Sequence, residues 1–157
     1  MIGQRSSSLA ERKEIYNYGC YFMSLTMMAW EHGQVGSTIA PDRIITGYDA
    51  LVRSGAMRKD CYIESAQAVV DYWGGKLKFN GKFDVDYKLA DDEVAIELWK
   101  LKRPAPKEWF YHFVYGTYDP WVKSRTRAFG ELDSYRVFKQ LNPCLLYTSD
   151  AADDLLC

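Results

Sequence analysis

The sequence predicts an α+β domain, a helical first half packed on an antiparallel sheet built from the second. Three observations carry the prediction. Helix signals run through Gly75 and strand signals dominate afterwards, an order that belongs to α+β architectures. One helix candidate, Gly19 to His32, is apolar on every side, as a buried central helix must be. Finally, Gly116-Thr117 joins two strand candidates through a turn short enough to make them antiparallel.

Taken in order, residues 1–16 are polar and read as an arm, or as a first strand leading into the core. The central helix follows, with Tyr21, Phe22, Met23, Leu25, Met28 and Trp30 spread around its axis, and Gly33 and Gly36 close it. Pro41 suits the first turn of a second helix. Its apolar face is Ile44, Ile45, Tyr48, Leu51 and Val52, and Gly55 stops it. Ser65 is positioned to cap a third helix that runs through Val69, Val70 and Trp73 to Gly74-Gly75. Leu77–Phe79, Val94–Leu101 and Trp109–Tyr115 read as strands, with Tyr87–Leu89, Trp121-Val122 and Tyr135–Phe138 as shorter candidates. Lys102-Arg103-Pro104-Ala105-Pro106 breaks the chain between two of them.

The last fourteen residues, 144–157, stand apart. Ten of them, Cys144 to Asp153, match one reading frame of the common transposase sequencing adapter. They are expected to be non-native, from a short-read and metagenomic assembly, and to form no structure. The expected domain is therefore 1–143. Within it are 20 Lys+Arg, 18 Asp+Glu and two of the four cysteines, Cys20 and Cys61. Two cysteines with His32 and His112 make no zinc spacing, and a Cys20–Cys61 disulfide is disfavoured in a cytosolic chain. The near-neutral balance argues against a dedicated nucleic-acid binder, because the basic stretches Arg58-Lys59 and Lys100–Arg103 are short. No apolar run approaches the length of a membrane-spanning helix, and no signal peptide is evident. The chain is expected to act in the cytoplasm without metal or cofactor. No membrane or nucleic acid is expected as a partner, and oligomeric state is left open.

Three residues are candidates for chemistry. Cys20 opens the central helix just after Gly19, where free amides and the helix dipole stabilise a thiolate. Alone, it is better read as a buried cysteine that packs as a small hydrophobe. His112 sits within the apolar strand Trp109–Tyr115 and needs a polar partner. The turn predicts that partner. If Gly116-Thr117 is a type II′ turn, Tyr115 faces Tyr118 and Val114 faces Asp119. His112, two residues from Val114, then shares a face with Asp119 as a diagonal neighbour. A carboxylate there can orient the imidazole and stabilise its protonated form. His32, on the same helix as Cys20, is expected three turns away at the C-terminal end.

This order, Cys at a helix N-terminus, His on a strand and Asp on the next, resembles the papain-like cysteine peptidases. The likeness is nearest to the double-glycine leader peptidases and their stand-alone, often phage-encoded relatives. It is carried by Tyr18-Gly19-Cys20-Tyr21-Phe22-Met23-Ser24-Leu25, His112-Phe113-Val114 and Tyr118-Asp119-Pro120-Trp121. The resemblance implies a papain-like fold. It implies Cys20 as nucleophile, His112 as base and acid, and Asp119 as orienter, acting on a peptide or amide bond. Leader peptidases carry an oxyanion-binding Gln six residues before the Cys. That position is Glu14 here, and Asn17 is the nearer amide side chain. Glu14 favours a second reading, an inactive binding module on the same scaffold that engages a host or virion protein. On that reading Trp99, Trp109 and Trp121 would be exposed contact residues. The shared face of His112 and Asp119 favours hydrolysis.

Overall fold

The structure, a computed structural model, describes residues 2–33, 38–102, 109–121 and 126–141. Its elements are α1 (Lys13–Tyr18), α2 (Cys20–Gly33), α3 (Pro41–Arg53), α4 (Ala66–Tyr72), β1 (Leu77–Asp84), β2 (Glu93–Lys102), β3 (Trp109–Tyr115), α5 (Thr126–Phe129) and β4 (Glu131–Gln140). The fold is α+β, with one antiparallel sheet in the order β1-β4-β2-β3.

α2 is the buried centre. Phe22, Met23, Leu25, Met28 and Ala29 are all inaccessible to solvent, because neighbours surround the helix on every side. α3 is amphipathic, and its Ile44, Tyr48 and Leu51 join the same core. At α4 the Ser65 side chain accepts the Ala68 N–H at 3.2 Å, the capping that the sequence signals. Gln67 then ties α4 to β1 by accepting the Phe79 N–H at 2.7 Å and donating to the Leu77 carbonyl at 3.0 Å. Ile96, Phe113, Tyr115 and Phe138 present the sheet to this core.

Several sequence expectations need correction. Residues 2–16 form no strand. They make a 3-10 turn at Ser7–Leu9 and then enter α1, with Leu9 and Ile15 fully buried. A polar composition hid these two anchors. Tyr87–Leu89 is a loop that follows the end of β1, where the Tyr87 hydroxyl donates to Glu93 at 2.8 Å. Trp121 lies in a turn instead of a strand. Val122, residues 103–106 and the adapter-like segment 144–157 lie outside the described residues. No helix among the described residues is long and apolar enough to cross a membrane.

Candidate functional site

The site begins at the junction of α1 and α2. Gly19 ends α1 by donating its N–H to the Ile15 carbonyl at 2.9 Å. A Cβ at Gly19 would stand 2.6 Å from that oxygen, so the close approach requires glycine. The chain re-enters helix at Cys20, which places this cysteine at the first position of α2.

α2 runs against β3, the strand at one edge of the sheet. An edge strand has outward backbone groups that need partners. Ser24 Oγ donates to the Phe113 carbonyl at 3.2 Å. The Phe113 N–H points at the Cys20 sulfur. Cys20 and Ser24 are one helical turn apart and so share a face, and this face covers the edge. The sulfur therefore lies beside the His112–Phe113 peptide.

Burial is the largest influence on the Cys20 thiol and pushes its pKa up. The N–H groups of Phe113, Tyr21 and Cys20 pull it down, and the Asp119 carboxylate pushes it up. The upward pressure prevails, so the resting group is a neutral thiol. Cys20 is half-buried and opens on a cavity of about 480 Å3. A larger groove of about 790 Å3, around Trp30, Tyr115 and Tyr135, touches neither Cys20 nor His112.

His112 and Asp119 meet as the hairpin register requires. Tyr115 and Tyr118 pair across Gly116-Thr117, with N···O distances of 3.0 and 2.7 Å. Gly116 has φ +51°, and Thr117 stays out of the left-handed region, as a type II′ turn demands. His112 Nε2 lies 2.7 Å from Asp119 Oδ1. That oxygen also accepts the Trp121 N–H at 2.9 Å, which fixes the carboxylate. The imidazole is fully buried, and its Nδ1 has no hydrogen-bond partner among the described residues. An ionised Asp119 makes Nε2 the protonated nitrogen and leaves the Nδ1 lone pair free.

Sequence reasoning missed the covering of this pair. The Trp121 ring stacks on the imidazole with centroids 4.1 Å apart, and the Arg5 guanidinium lies 4.6 Å over Trp121. The Gln4 N–H donates to the Pro120 carbonyl at 2.8 Å, and the Tyr118 hydroxyl donates to the Ile2 carbonyl at 2.9 Å. Residues 2–5 are thus strapped over the His112–Asp119 hairpin. Trp121 is two residues from Asp119 in sequence and was legible on that ground. Nothing in the polar N-terminal composition signals the strap.

Other candidates are not brought to the site. Glu14 and Asn17 are exposed on α1. The charge of Glu14 acts on Cys61, Tyr48 and Arg12, and Cys20 is not among the groups it perturbs. The Asn17 side chain makes no hydrogen bond among the described residues. Of the three tryptophans expected as surface contacts, Trp109 is exposed, whereas Trp99 and Trp121 are partly buried. His32 closes α2 and lies 3.1 Å from the Tyr115 hydroxyl. Cys20 and Cys61 are both free thiols and line the same cavity.

Fold and site together define an α+β domain with a free cysteine and a buried His–Asp pair at one edge of its sheet. The chain belongs to the family described as "Protein of unknown function, DUF261", whose model matches residues 2–140. No curated protein and no solved structure matches the chain.

Proposed function

We propose that this protein is a papain-like cysteine hydrolase acting on a peptide or amide bond in the cytoplasm. The observation that carries the reading is the His112–Asp119 pair on the strand whose Phe113 N–H holds the Cys20 sulfur, with His112 Nδ1 unpartnered among the described residues. In this mechanism the thiol is neutral at rest. The Cys20 proton passes to His112 Nδ1 as the sulfur attacks the carbonyl carbon. Asp119, bonded to Nε2, stabilises the imidazolium so formed. His112 then gives the proton to the leaving amine, and water releases the acyl group from the sulfur. The Cys20 and Tyr21 N–H groups at the start of α2 are the donors available to the developing oxyanion.

A peptide vinyl sulfone tests the reading, because addition to it needs both a nucleophile and a proton donor. The wild type should form a Cys20 adduct, and His112→Ala should slow the reaction by roughly 100-fold or more. Adduct formation at the wild-type rate in a folded His112→Ala protein would falsify the mechanism. One observation favours the rival reading, an inactive binding module of the same fold. Burial holds the Cys20 thiol protonated, as in a cysteine that serves only packing.

A further inference from the structure

The cavity beside Cys20 contains cations that the fold does not explain. Arg136 lies on β4, which has strand neighbours on both sides. Its register partner is Ile96, and Phe138 is two residues along the strand, so Arg136 shares the helix-covered face with these core residues. A half-buried guanidinium in that position is expected to have a carboxylate partner. Among the described residues it has none. Its hydrogen bonds go to neutral acceptors, Ser134 Oγ at 3.1 Å and the Tyr135 carbonyl at 3.3 Å. Its guanidinium also lies 5.5 Å over the Phe113 ring. Lys82 lines the same cavity and likewise forms no ion pair among the described residues. The cavity's two carboxylates, Asp60 and Glu64, are engaged by Arg58 at 3.2 and 3.7 Å. The lining therefore offers uncommitted positive charge and neutralised negative charge.

Phe113 links this charge to the nucleophile. Its ring stacks on Tyr21 at 4.1 Å and lies beneath Arg136, while its N–H points at the Cys20 sulfur. We infer that Arg136 is a specificity-determining residue, binding a carboxylate that the substrate carries close to the bond Cys20 attacks. The substrate class is then an acidic peptide, its carboxylate either an Asp or Glu side chain or a chain terminus. A planar guanidinium suits either source through paired hydrogen bonds, and Lys82 strengthens the field. The inference rests on the hydrolase reading for the word substrate, but the carboxylate site stands on its own geometry.

The test compares alkylation of Cys20 in the full chain by iodoacetate, which carries a carboxylate, and by neutral iodoacetamide at low ionic strength. Relative to glutathione, the wild type should favour iodoacetate by about fivefold or more. Arg136→Gln should abolish the preference, and Arg136→Lys should keep most of it. An unchanged preference in Arg136→Gln, or none in the wild type, overturns the proposal. Failure of both reagents to reach native Cys20 overturns it together with the hydrolase reading. Two competing peptides then identify the carboxylate, one with an internal Glu and an amidated terminus, the other with Gln and a free terminus. The peptide that slows iodoacetamide labelling of the wild type but not of Arg136→Gln supplies the recognised group. Protection by neither overturns a peptide-borne carboxylate. If the iodoacetate preference holds while His112→Ala leaves vinyl sulfone labelling untouched, the carboxylate site belongs to a binding module and the hydrolase reading alone fails.

Discussion

Replacing Asp119 with alanine should destabilise the fold by more than a partly exposed carboxylate ordinarily contributes. Asp119 Oδ1 accepts hydrogen bonds from His112 Nε2 at 2.7 Å and from the Trp121 N–H at 2.9 Å. The imidazole is 0% exposed and its Nδ1 already lacks a partner among the described residues. Removing the carboxylate therefore strands the whole buried ring and releases the loop that positions Trp121. An unsatisfied buried donor costs about 1–3 kcal/mol, and the Trp121 contact adds about 1 kcal/mol, so the expected loss is about 2–4 kcal/mol. Asp119→Asn retains an acceptor oxygen and should lose about 1 kcal/mol. Urea unfolding followed by tryptophan fluorescence measures both, with Trp121 among the reporters. If Asp119→Ala falls within about 0.5 kcal/mol of the wild type, the value of an ordinary surface substitution, the pair does not anchor the hairpin as argued.

Four further outcomes follow from the packing and the electrostatics. Burial raises the Cys20 pKa above the ordinary thiol value of 9.0, so its alkylation by iodoacetamide should keep rising past pH 9; a rate already at its plateau by pH 7 would reveal a preformed ion pair with His112. Cys61, with its thiol pushed up to about 12 and only 4% exposed, should resist labelling at pH 8 until the protein unfolds, as peptide mapping will show. Cys61 also has φ +63°, so Cys61→Val should lose about 1–3 kcal/mol in urea unfolding, since a β-branched residue is strained in that region. Gly47→Ala gains about 1 kcal/mol of helix propensity in α3, but the new Cβ would overlap Cζ2 of Trp73. Overpacking of that kind costs about 1–3 kcal/mol, so the variant should be no more stable than the wild type.

The hairpin was the most legible part of the site. Turn chemistry at Gly116-Thr117 and the two-residue alternation of strands suffice to place His112 and Asp119 on one face, and the 2.7 Å contact follows that register. The Cys20 position was legible for the same local reason, because a glycine before an apolar helix marks a boundary. The state of the thiol was not. A helix N-terminus predicts a lowered pKa, but in the structure desolvation outweighs the three N–H groups aimed at the sulfur. Glu14 shows the reverse error, since the likeness to leader peptidases placed it near Cys20 whereas its charge acts on Cys61.

By itself, the sequence determined what short-range rules govern. The all-round apolar α2, the cap at Ser65, the β3 span and the turn that pairs His112 with Asp119 depend on residues within a few positions of each other. Only the tertiary structure decided the strand order β1-β4-β2-β3, the docking of Cys20 and Ser24 on the edge of β3, and the entry of Arg136 into the Cys20 cavity. It also decided the strap of residues 2–5, where the Tyr118 hydroxyl reaches Ile2 across 116 positions of sequence. Such contacts satisfy backbone groups and fill space that exist only after the chain has closed on itself, so no local period or motif encodes them.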